Sequence, residues 1–143
     1  MIDRTYQTLF VDNMYNALLE KGNTAGVCPT GGGKTYIMAR LVQKVGGKIA
    51  VLQPRIELVG QNMRKFRDVI PGLRMGLYTA EAKSWRGDVT FAMAQTLVRN
   101  LSSIPKLDML LVDECHHIVA PGYLKIVEAV KDKNPDCTIA GVT

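Results

Sequence analysis

Cys28-Pro29-Thr30-Gly31-Gly32-Gly33-Lys34-Thr35 decides the fold of this 143-residue chain. The residues before it, 24–28, read as a short strand. The residues after it open a helix over 34–45, with Ile37, Met38, Leu41 and Val45 on one face and Gly46-Gly47 as its stop. Strand, glycine run, helix is the setting a phosphate-binding loop requires. Three successive glycines let the backbone wrap a phosphate with its N–H groups pointing inward. The helix that follows adds unpaired N–H groups and the positive end of its dipole. Lys34 is placed to reach the β- and γ-phosphates, and the Thr35 hydroxyl to bind Mg²⁺. A glycine-rich turn capping a helix would also account for the three glycines, but not for Lys-Thr at their end. The pattern G-x-x-x-x-G-K-[ST] is met except at its first position, where Cys28 stands.

Outward from this loop, elements alternate. Helices are expected over 7–21, 57–69, 95–101 and 123–131, and strands over 48–53, 74–78, 88–93, 108–113 and 137–142. Several of the strands are continuously apolar, which predicts a parallel sheet covered on both faces. The expected architecture is α/β, a doubly wound parallel sheet with helices on both faces and ligands at the carboxyl ends of the strands.

Leu110-Leu111-Val112-Asp113-Glu114 supplies the second half of a site. An apolar strand ending in two adjacent carboxylates is costly unless a cation neutralises them. Asp113 would hold Mg²⁺ beside the phosphate loop, and Glu114 would orient and deprotonate an attacking water. The two motifs together predict an ATP hydrolysis site, with ATP and Mg²⁺ as its ligands and Lys34, Asp113 and Glu114 as its catalytic set. Cys115, His116 and His117 follow directly, but three adjacent residues cannot turn toward one tetrahedral zinc.

Size and charge bound the rest. The length suits a single domain of ordinary composition, 47% hydrophobic and 22% charged. No apolar run approaches the ~20 residues that span a bilayer, so no membrane partner is expected. No signal peptide follows Met1, and the three cysteines are an odd count, so the expected compartment is cytoplasmic with free thiols. Charge is uneven: residues 40–106 carry twelve Lys or Arg against four Asp or Glu, whereas residues 107–143 carry three against six. A basic middle suits a phosphate backbone, an acidic end suits a metal ion, and solvated helix faces would suit both.

Across essentially its whole length the chain resembles the first RecA-like domain of superfamily 2 helicases and translocases, the DEAD/DEAH-like group, here with a DECH box. Arg4-Thr5-Tyr6-Gln7 is similar to that family's adenine-reading R-x-Y-Q element, and an amide such as that of Gln7 can pair with the N6 and N7 edge of adenine. Thr30, Gly31, Gly32, Gly33, Lys34 and Thr35 fall in its motif I, where the position of Cys28 accepts several small or apolar residues. Gln53-Pro54-Arg55-Ile56-Glu57-Leu58-Val59-Gly60-Gln61 is similar to motif Ia, which implies that Arg55 grips a nucleic-acid phosphate. Phe91-Ala92-Met93-Ala94-Gln95-Thr96-Leu97 is similar to a further strand-gripping segment, making Gln95 and Thr96 candidates, although Met93 replaces the usual Thr.

Asp113–His116 matches motif II, which implies that His116 couples the ATP site to a neighbouring domain. Gly141-Val142-Thr143 resembles the opening of motif III, with Thr143 in the same coupling role. What the resemblance implies is a P-loop NTPase domain acting on nucleic acid, DNA rather than RNA, with a second RecA-like domain in cis or trans. The chain is then one ATP-binding domain over 1–143, cut at the start of motif III. Isolated, it would bind nucleotide and hydrolyse it weakly. Two other readings stay open: the motor of a restriction-type or remodelling double-strand DNA translocase, and a non-hydrolytic module that senses nucleotide or docks on nucleic acid. Trp85 could stack on a base, but a lone tryptophan more often packs.

Overall fold

A computed structural model describes residues 5–28 and 33–143. Its elements run α1 (Thr5–Lys21), β1 (Asn23–Gly26), α2 (Lys34–Val45), β2 (Ile49–Gln53), α3 (Glu57–Val69), β3 (Met75–Tyr78), β4 (Val89–Met93), α4 (Ala94–Leu97), β5 (Met109–Asp113), α5 (Pro121–Lys133) and β6 (Thr138–Val142). The six strands form one sheet in the order β1-β6-β5-β2-β4-β3, every neighbouring pair parallel. This is the expected doubly wound α/β fold.

The central strands explain the order. Every residue of β2 and β5 is buried, as continuous apolar runs in a two-sided parallel sheet must be. Side chains alternate between faces, so Ile49 and Val51 pack with Met14, Ile37, Leu41 and Phe66 from α1, α2 and α3. Ala50, Leu52, Leu110 and Val112 pack instead with Leu97, Ile126 and Val130 from α4 and α5. On the first face Phe66 meets Phe91 edge-on, with ring centroids 5.0 Å apart at 78°.

Two expected elements shift. The first strand occupies Asn23–Gly26 rather than 24–28. It is an edge strand whose residues alternate between exposed and half-buried, so it lacks the apolar run that marks a strand's limits. The expected helix over 95–101 closes after Leu97, because the Asn100 side-chain amide donates to the Thr96 carbonyl at 2.8 Å; a separate 3-10 turn, Leu101–Ser103, follows. Trp85 packs, stacking on Tyr78 with centroids 5.0 Å apart and its Nε1–H 3.4 Å from Ser103 Oγ. Among the described residues no helix is long and apolar enough to cross a membrane.

Candidate nucleotide site at the strand carboxyl ends

The sheet order brings two distant segments together. β1 leads into the glycine loop and β5 ends in Asp113, with only β6 between them. The ends of β1 and β6 are tied: the Cys28 N–H donates to the Thr143 carbonyl at 2.8 Å, and the Thr143 N–H donates to the Gly26 carbonyl at 3.1 Å. Gly33 immediately precedes α2, and its φ of 75° is left-handed and suits glycine. Lys34 in the first turn of α2 then reaches over the end of the sheet.

There the Lys34 ammonium lies 2.8 Å from Asp113 Oδ1 and 2.8 Å from Glu114 Oε1. Asp113 is only 1% exposed, and an unpaired carboxylate that deep would cost several kcal/mol. Burial lowers the pKa of Lys34, but hydrogen bonds and charge from the two carboxylates outweigh it and leave the pKa raised. The hydrogen bond from Lys34 is also what holds Glu114 below the usual carboxylate range, with burial opposing and the charges of Lys34, His116 and Arg55 assisting.

Glu114 sits at φ 56°, ψ 54°, left-handed backbone that costs a non-glycine residue roughly 1–3 kcal/mol. Past this turn Cys115, His116 and His117 meet different partners, while the two histidine rings stay 4.3 Å apart. Cys115 folds over Gly141, where an added Cβ would lie 2.5 Å from that of Cys115. The His116 Nδ1 meets the Thr143 hydroxyl at 2.9 Å and lies 3.7 Å from Glu114 Oε2. The His117 ring faces Tyr123, with centroids 6.0 Å apart. The three thiols are free.

The other sequence-predicted residues fall into three groups. Gln7 is buried, not a surface residue, and a Cβ at Gly33 would stand 2.4 Å from its Nε2, so its amide lies against the end of the loop. Gln95 and Thr96 line a groove of about 300 Å³ with Ile56, Ala80, Glu81 and Met93, at the carboxyl ends of β3 and β4. Arg55 is exposed between β2 and α3, next in sequence to Ile56 of the groove, and its charge helps lower the pKa of Glu114. Arg4, Thr30, Gly31 and Gly32 lie outside the described residues. A larger cavity, about 600 Å³, lies away from this end, where Lys125, Glu128, Asp132 and Lys133 mix their charges without converging.

Sequence reading missed Asn62. It is the one polar residue on the buried face of α3, between Val59 and Phe66. Its Oδ1 accepts from the Thr35 hydroxyl at 3.0 Å, and its Nδ2 faces Gln53 Oε1 at 3.4 Å and Asp113 Oδ2 at 3.5 Å. A polar residue at the spacing of an apolar face was the available signal.

The donor set fits a hard divalent cation. Thr35 and Asp113 offer oxygen ligands and share Asn62. Asp113 Oδ1 is buried and takes no aligned hydrogen bond among the described residues; the ammonium opposite it meets it as a charge.

A parallel sheet with a glycine-rich segment before a helix, its lysine on an aspartate–glutamate pair at a neighbouring strand end, is the arrangement of a RecA-like domain of superfamily 2. The chain belongs to the family described as type III restriction enzyme, res subunit, which it matches over residues 1–143. It is 29% identical over 153 residues to IRC3 of Saccharomyces cerevisiae, by name an ATP-dependent helicase, covering 95% of this chain and 22% of that protein. It is 30% identical over 102 residues to XPB2 of Sulfurisphaera tokodaii, by name a DNA 3'-5' translocase, covering 68% of this chain and 22% of that protein. The chain therefore spans about a fifth of the length of the curated relatives it matches. Among solved structures, the Hef helicase domain of Pyrococcus furiosus superposes with a TM-score of 0.80 at 26% identity, covering 99% of this chain and 32% of that one.

Proposed function

We propose that this domain hydrolyses ATP as half of a two-domain motor, and that the motor works on nucleic acid, DNA in preference to RNA. The observation that carries the reading is the convergence of Lys34, Asp113 and Glu114 at the strand ends. The glycine loop and the N-terminus of α2 bind the triphosphate, and Lys34 leaves the carboxylates for the β- and γ-phosphate oxygens. That move frees Glu114, already ionised, to orient and deprotonate the attacking water. Thr35 and Asp113 hold Mg²⁺, which when bound offsets charge on the phosphate oxygens. Gln7 reads adenine, together with Arg4 of the same R-x-Y-Q sequence.

Arg55, Gln95 and Thr96 touch the strand, and the groove beside Ile56 supports that role. His116 and Thr143 pass the state of the site to a second RecA-like domain in cis or trans. That domain supplies the arginine finger, worth about 10³–10⁵ in rate in comparable sites. The domain without it binds nucleotide and turns it over very slowly. Three free thiols support a reducing, cytoplasmic setting.

Movement along duplex DNA without strand separation is the second reading. It is favoured by the Sulfurisphaera relative, by name a DNA translocase, and by the restriction-enzyme family. In the full-length protein, Glu114→Gln is expected to lower ATP turnover by about 10²–10⁴ at equal nucleotide affinity. Unchanged turnover would instead mark a nucleotide-sensing module. Forked-duplex unwinding against triplex displacement then separates helicase from double-strand translocase.

A further inference from the structure

Asn62 occupies the centre of an otherwise apolar helix face and is 5% exposed. Burying an amide there costs about 1–3 kcal/mol unless its groups are paired, and a core leucine would fill the space without that cost. Its pairing has a direction. A carboxylate can only accept, so the amide nitrogen of Asn62 must face Asp113 Oδ2 and its oxygen must face Thr35. The Thr35 hydroxyl is then the donor, and its proton points at α3. What remains for a cation is the lone pairs of Thr35 Oγ1 and the Oδ1 oxygen of Asp113, which faces the Lys34 ammonium at 2.8 Å. Those are the atoms a cation would need.

We propose that Asn62 is a positioning residue for the divalent cation of this site. It accepts the hydrogen bond of the Thr35 hydroxyl and donates toward the far oxygen of Asp113, so both ligands present lone pairs to the same place. Gln53 supports it, offering Oε1 to the Asn62 amide from the end of β2. Outer partners of this kind typically change metal affinity or activity by 10–100-fold when removed. The inference rests on the ATP–Mg²⁺ reading of the site, and nothing in the glycine-loop or DECH motifs includes Asn62.

The test compares binding of a fluorescent, non-hydrolysable ATP analogue in Mg²⁺ and in EDTA, for the wild type, Asn62→Leu and Asn62→Ala. The wild type is expected to gain affinity from Mg²⁺. Each folded variant is expected to lose most of that gain, about 10-fold or more, while its affinity in EDTA stays within about twofold. A full Mg²⁺-dependent gain in either folded variant overturns the proposal. In the wild type itself, the side-chain amide ¹⁵N–¹H resonances of Asn62 are expected to shift when Mg²⁺ is added to the analogue-bound protein; no shift overturns it without any substitution. Failure of the wild type to bind the analogue in either buffer would count against the ATP site instead.

Discussion

Lys34 places its ammonium 2.8 Å from Glu114 Oε1, across 80 positions of sequence, and the same ammonium neutralises Asp113. One side chain thereby neutralises both carboxylates at the end of β5. Lys34→Met keeps the length of the side chain and removes the charge, leaving two adjacent carboxylates at the strand end. Removing one partner of a buried pair costs about 3–5 kcal/mol, and the quarter exposure of Lys34 puts this case near or below the lower figure.

The sign with pH follows from Glu114. Its folded pKa lies below the ordinary 4.5, so its pairing adds stability above that value and loses it as pH falls through the lowered one. Urea unfolding should therefore show Lys34→Met clearly less stable than the wild type at pH 7, with the gap narrowing in the acid range. A gap of the same size at pH 7 and pH 3 would mean that the ammonium is not holding the carboxylates by charge.

Gly33 and Gln7 constrain one another. The glycine holds φ 75°, and a methyl group there would stand 2.4 Å from the Gln7 amide nitrogen. Gly33→Ala incurs about 1–2 kcal/mol for left-handed backbone and must also displace Gln7. We expect the melting midpoint to fall by about 4 °C or more, and any preference for ATP over GTP to shrink as the amide is pushed aside. Competition binding of the two nucleotides reads the second effect. If the preference is unaltered while the midpoint falls, Gln7 is structural and adenine is read elsewhere.

Legibility in the sequence tracked local punctuation. The limits of α2 and α3 follow from Gly46-Gly47 behind one, and from Pro54 before and Pro71-Gly72 behind the other. β1 was misplaced because an edge strand carries no continuous apolar run. The Lys34, Asp113 and Glu114 cluster was legible because each residue lies at a strand end or helix start marked by a motif. Asn62 was not, since Thr35, Gln53 and Asp113 lie 27, 9 and 51 positions away and only the packing of α3 on the sheet brings them together. From α3 alone it reads as a break in an amphipathic pattern.

Cys137 provides a test of the core that is independent of the site. It is fully buried just ahead of β6, and burial pushes its thiol from the ordinary 9.0 up to about 11. The folded chain therefore keeps this proton between those values while the unfolded chain releases it. Stability from this group is intact below pH 9, falls as pH rises toward 11, and levels off above that. The slope is about 1.4 kcal/mol per pH unit, a loss of roughly 3 kcal/mol in all. Cys137→Ala removes the titration and introduces only a small, pH-independent packing loss of about 1 kcal/mol. Urea unfolding from pH 8 to pH 11.5 should show the wild type more stable at the start and its advantage lost or reversed at the end. Two parallel curves would show that the thiol ionises alike in the folded and unfolded chain, and that burial does not hold its proton.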